Sequence, residues 1–165
     1  MKLVFRLLLL AALAGLGFWL WTILFPSPEK VVLKKVSSLA TAATFRAADS
    51  NLIRAAKAAR LAGLFATDAQ IIVNVPDMPN RTLTGREEIQ ETALGGFANV
   101  PVLNVRFLDV NVHIGADRQT ADVDCTGEVN AGDHKDFDVQ ELHFQFKKVD
   151  GDWLISRVET VKTLS

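Results

Sequence analysis

Between Leu3 and Phe25 the chain runs LVFRLLLLAALAGLGFWLWTILF, with Arg6 as its only charge, and the residues beyond Pro26 have an entirely different character. Wound as a helix, this stretch is about 34 Å long, against a hydrocarbon core about 30 Å thick, so it is long enough to span a bilayer. A secretory signal has a shorter apolar region, about 7–15 residues, and a small-residue cleavage site. Here the exit is Trp19-Leu20-Trp21-Thr22-Ile23-Leu24-Phe25, bulky throughout, and the reading is an uncleaved single-pass anchor. Trp19 and Trp21 suit the membrane interface, where an amphipathic ring is favoured. Lys2 and Arg6 precede the span while Lys30, Lys34 and Lys35 come after it, so the positive-inside count is near a tie. A short tail before a first span ordinarily stays in the cytoplasm, which places the rest of the chain on the periplasmic or extracellular side. Pro26-Ser27-Pro28 cannot continue a helix. Residues 1–28 are therefore read as anchor and stiff joint, and residues 29–165 as a domain starting almost at the membrane.

About 135 residues remain beyond the joint, one domain's worth and enough to bury a core. The formal net charge is −1 with both signs interspersed, which excludes the electrostatic footprint of a nucleic-acid binder. Cys125 is the only cysteine, so no internal disulfide is available. Its alternating neighbours place it on the apolar face of a strand, as a small core residue rather than a nucleophile. No Cys/His cluster has metal-ligand spacing, and neither a phosphate-binding glycine loop nor a nucleophile elbow is present. No metal, cofactor or catalytic residue is assigned.

Val32, Val36, Leu39, Ala43 and Ala47 step by three or four and predict a helix over about 31–47. Asp49-Ser50 offers N-cap chemistry for a second helix, rich in alanine, that Gly63 ends. Arg46, Arg54, Lys57 and Arg60 are expected to form a solvated basic face, close enough to a membrane to rest on anionic headgroups. Thr67-Asp68 reads as a turn, Ala69–Val75 and Arg81–Leu83 as a hairpin. Thr84 and Glu87 have capping-box spacing before a third helix with Ile89, Ala93 and Phe97 inward, ending near Gly95–Ala98. Four strands complete the chain, roughly 102–114, 120–130, 136–148 and 153–163.

The strand phases add shape. A two-residue Asp150-Gly151 turn pairs Lys148 with Trp153, Phe146 with Ile155, Phe144 with Arg157 and Leu142 with Glu159, all on one face. Apolar phase slips between Phe107 and Leu108, and again near Gln140-Glu141. Both slips predict β-bulges that curl the sheet around the helices into a cone.

Leu64-Phe65-Ala66-Thr67-Asp68-Ala69 after helix two, Leu83-Thr84-Gly85-Arg86-Glu87-Glu88-Ile89 opening helix three, and Asp150-Gly151-Asp152-Trp153-Leu154-Ile155 opening the last strand occur in order. Together they resemble the NTF2-like superfamily, in particular its SnoaL-like branch, over about residues 31–165. The resemblance implies an α+β cone, with three N-terminal helices on a strongly curved, mainly antiparallel sheet. It does not choose a function, because the superfamily holds isomerases, dehydratases, epoxide hydrolases and non-catalytic modules. Isomerase relatives use an Asp base with a tyrosine-containing oxyanion hole. This chain has no tyrosine, so that chemistry does not transfer. An epoxide-hydrolase-like site needs two carboxylates flanking an arginine, and the predicted inner face supplies one.

The expected ligand-binding residues are Arg157 and Glu159, with Asn74 on the first hairpin, framed by Phe144 and Trp153 and suited to a small apolar or anionic ligand. The competing reading of Arg157 and Glu159 is a structural ion pair. His113 and His143 fall among Asp109, Asn111, Asp122, Asp124, Thr126, Glu141 and Gln145 on the opposite, outer face, read as a solvated or dimer-forming surface rather than a metal site. The sequence thus points to a membrane-tethered, non-catalytic module that binds a ligand or assembles with proteins, as a homodimer through the outer face. The alternative is a lyase, isomerase or hydrolase with its site inside the cone.

Overall fold

Helix α1, Pro28–Ala43, starts where Ser27 offers its hydroxyl to the Lys30 N–H and Pro28 occupies the first turn, where its missing donor costs nothing. The structure is a computed structural model describing residues 26–74, 81–132 and 138–161, together with Gly15. The expected span therefore lies outside the described residues apart from Gly15. Among the described residues no helix is long and apolar enough to cross a membrane.

Val32, Val36, Leu39 and Ala43 are buried on α1 as their spacing requires. The helix stops short of Ala47, which is exposed, because Thr44 turns extended and Phe45 exchanges backbone hydrogen bonds with Leu103 at 2.8 and 3.1 Å. Helix α2, Asn51–Ala62, is capped by Ser50, which accepts from the Ile53 N–H at 3.4 Å, and buries Ala58 and Ala62.

The basic face expected around α2 is only partly solvated. Arg54 donates to the carbonyls of Asp49, Phe97, Val100 and Pro101 at 2.7–3.2 Å, and its guanidinium lies 4.7 Å from the Phe45 ring centroid. It satisfies carbonyls that the end of the third helix leaves without partners. Lys57 donates to the Thr44 carbonyl at 2.7 Å and to Asp49 at 3.0 Å.

Strand β1, Phe65–Val73, begins earlier than the sequence reading and contains Thr67-Asp68. Asp68 is thus a strand residue, and its carboxylate accepts from Lys147 Nζ at 2.7 Å through both oxygens. Strand β2, Arg81–Thr84, pairs antiparallel with it. Helix α3, Arg86–Asn99, has Gly85 at its N-cap with φ 89° and no side-chain cap. The capping box is displaced by one residue: Glu88, not Glu87, reaches back to accept the Thr84 N–H at 2.7 Å. Two helices thus precede the sheet and the third comes after β2, so the helices are not all N-terminal.

Strands β3 (Leu103–Ile114), β4 (Thr120–Ala131), β5 (Asp138–Val149) and β6 (Asp152–Thr160) complete a six-stranded sheet of order β2-β1-β6-β5-β4-β3. Only β1 and β6 run parallel; the other neighbours are antiparallel. Asp150 and Gly151, at φ 52° and 93°, make the tight turn that joins β5 to β6. Cys125 lies in the core at 3% exposed, and burial, with help from Glu141 and Asp124, pushes its thiol up to about 12. It is a packing residue.

Candidate functional site

The inner face of the sheet is filled with side chains. Phe144, Phe146, Trp153 and Ile155 pack with Val123, Cys125 and the α1 residues Val32, Val36 and Leu39 in one core, and the Phe107 ring meets Phe144 edge-on at 5.6 Å. Among the described residues no polar or charged side chain is buried.

Strand β6 decides which residues face this core. Lys148 pairs with Trp153 and Phe146 with Ile155, as the tight turn requires. The register then shifts: Gln145 pairs with Arg157, Phe144 with Val158 and His143 with Glu159. Ser156 is the extra residue of a β-bulge, and one extra residue moves every later side chain to the other face. Val158 therefore points inward, while Arg157 and Glu159 join His143 and Gln145 outside. The expected pocket is not assembled, since Phe144 and Trp153 lie in the core and Arg157 and Glu159 stand on the opposite face. Arg157 and Glu159 are ion-paired with each other, and Arg157 also reaches Gln70 Oε1 at 3.4 Å. Asn74 comes just after β1, where its backbone N–H donates to Thr160 Oγ1 at 2.8 Å.

The second bulge falls where phase predicted it, between Leu108 and Asn111 in β3, with Asp109 at φ 51°. None occurs near Gln140-Glu141, where β5 pairs with β4 without interruption. Val139 is simply an outward residue, 60% exposed.

The outer face is otherwise as the alternation implied. His143 Nδ1 lies 2.7 Å from Asp124 and Nε2 3.5 Å from Asp122, and Thr126 donates to Glu141 at 3.0 Å. His113 pairs in register with Asp122, and Asn111 with Asp124. Among the described residues no group of three or more potential metal ligands is arranged to hold an ion.

The concave surface that sequence reasoning missed runs between α1 and β3. Its apolar stretch, about 310 Å³, is walled by Leu33, Val36 and Ala40 of α1 and by Val105, Phe107, Leu108 and Val110 of β3. A polar stretch of about 450 Å³ continues from it, reaching Thr44, Arg46, Asp49 and Lys57, and Ser37, Ala40 and Val105 border both. Leu33 and Leu108 remain 37% and 42% exposed at its rims. The signal available in the sequence was Leu33, one residue off the α1 core stripe, together with the apolar pair Phe107-Leu108 across the β3 slip.

A family model for the SnoaL-like domain matches residues 45–159. The chain belongs to the SnoaL-like family. The SnoaL-like match begins at Phe45, just after α1. An NTF2-like protein of unknown function from Pseudomonas putida KT2440 superposes with a TM-score of 0.63 at 10% identity, over 83% of this chain and 87% of its own. A protein from Streptomyces avermitilis, provisionally named a dehydratase of the NTF2-like family, gives 0.59 at 20% identity over 83% and 96%. An NTF2-like protein with a cystatin-like fold from Novosphingobium aromaticivorans gives 0.56 at 16% identity over 92% and 86%. At such identities the likeness establishes the fold alone. No functionally curated protein gives a significant sequence match.

Proposed function

We propose that this SnoaL-like domain is a non-catalytic binding or assembly module, tethered to a membrane by residues 3–25 and paired as a homodimer through its outer sheet face. The observation that carries this reading is the apolar inner face, with no buried polar or charged side chain among the described residues. Acid–base chemistry on a small molecule requires a positioned proton donor or acceptor within reach of an enclosed ligand. The charged groups considered for that role, Arg157 and Glu159, are turned away by the Ser156 bulge and neutralise each other. An apolar recessed surface lies instead in the α1–β3 groove, which suits a bound ligand or a docked segment.

Two features favour the tether and the dimer. The apolar run ends at Phe25, three residues before α1 starts, so the domain would sit at the bilayer surface, on the periplasmic or extracellular side. The outer face presents Arg157 beside Glu159 and His143 beside Asp122 and Asp124, a polar surface on which a second copy can set opposite charges against each other. Native mass spectrometry of the full chain released from detergent tests the reading. A dimer that dissociates on Arg157→Glu supports it. A monomer overturns the dimer, and turnover of a co-purifying metabolite overturns the non-catalytic assignment.

A further inference from the structure

We infer that the α1–β3 groove is a binding site for a single-chain amphiphile with an anionic head, a long-chain carboxylate being the simplest case. The inference rests on the reading of the domain as a binding module and names its ligand class. Ser37, Ala40 and Val105 border both stretches, so one ligand can occupy them together. The apolar stretch is mostly aliphatic and aromatic carbon, with Ser37 and the Glu128-paired Arg106 also on its wall, and the partly exposed Leu33 and Leu108 leave apolar surface that an acyl chain would cover.

Charge selects the head. At the polar end Arg46 and Lys57 oppose one carboxylate, Asp49, and Lys57 already donates to Asp49 at 3.0 Å. Lys57 and Arg46 both hold the Asp49 carboxyl below its ordinary value, Lys57 more strongly. The Arg46 guanidinium makes no hydrogen bond among the described residues, so its donors are available to an anion. From Leu33 to Thr44 the groove runs along α1 for eleven residues, about 16 Å at the helical rise. That length suits one extended unbranched chain.

The test uses the full chain in phosphatidylcholine vesicles with a myristate carrying a diazirine at its methyl end. Photo-cross-linked peptides are mapped by mass spectrometry, and the released probe is weighed. The expected label falls within residues 33–40 and 105–110, is competed by excess myristate and is not competed by myristyl alcohol. Ser37→Trp, on an exposed position of α1, should abolish the groove label, and Arg46→Ala should weaken it about fivefold. Labelling elsewhere, or equal competition by the alcohol, overturns the amphiphile site while leaving the module reading intact. A groove label with the probe returned chemically altered keeps the site and overturns the non-catalytic reading instead.

Discussion

The two faces of this sheet differ in what they contribute although they share the same strands. Inward, Phe144, Phe146, Trp153 and Ile155 are each at most 3% exposed and pack in one hydrophobic core. Outward, their neighbours Lys147, Arg157 and Glu159 form ion pairs and His143 contacts Asp124, all partly open to solvent. Burial of a large apolar side chain contributes about 1.5–3 kcal/mol, whereas an exposed ion pair contributes about 0–1 kcal/mol. The inner face therefore holds the domain together, and the outer face is free to change its chemistry without unfolding it. The groove between α1 and β3 lies at the border between them, where an apolar wall gives way to Arg46 and Lys57.

The strongest way to break this contrast is Val158→Asp, which sets a charge opposite Phe144 on the inner face. Burying an unpaired charge costs several kcal/mol, comparable with the whole stability of a domain this size. Urea titration should show no cooperative transition, and a Val158→Asp variant of unchanged stability would refute the inward placement that the bulge gives Val158. Next in size is Phe144→Ala, expected to lose about 3–5 kcal/mol, while Gln145→Ala on the other face stays within about 0.5 kcal/mol. Comparable losses for the pair would mean that the outer face is covered more heavily than this contrast allows. Arg54→Ala should cost about 2–3 kcal/mol by leaving the carbonyls of Phe97 and Val100 without a donor, and hydrogen exchange should localise the loss to the end of α3.

The smallest effect separates the faces by pH. The bond from Lys147 holds the Asp68 carboxyl below its ordinary value of 3.8, and Asp117 is held down by the Gln119 and Thr120 donors. A carboxyl whose folded value is depressed stabilises the fold above its unfolded value and loses that contribution as pH falls through the folded one. Stability should thus be flat above about pH 5 and decline below about pH 4. Asp68→Asn should shrink the decline slightly and approach the parent at low pH. The core substitution Phe144→Ala should shift the whole curve without changing its slope.

Much of the fold was legible because the deciding signals are local. Ser50 caps α2 as its position before Leu52-Ile53 implied, Cys125 is buried, and the β3 slip marks a real bulge. The candidate site was harder to read because it depended on a single residue of register. In Trp153-Leu154-Ile155-Ser156-Arg157-Val158 the inward spacing runs two, then three, which is the mark of an inserted residue. Extending the tight-turn register from Phe146–Ile155 past Ser156 placed Arg157 opposite Phe144. The apolar Val139 drew the slip to β5, although a lone exposed valine requires no bulge. The groove lies between elements far apart in the chain, Leu33–Thr44 and Val105–Val110, and no local pattern announces such a surface.

The most direct measurement is thiol accessibility along β6 in a Cys125→Ala background, with single cysteines at Ile155, Arg157, Val158 and Glu159. Measured on the monomer at high dilution, the bulged strand predicts slow modification at 155 and 158 and fast modification at 157 and 159. Fast modification at 158 with protection at 157 and 159 would put both charges inside the cone and contradict the bulged register.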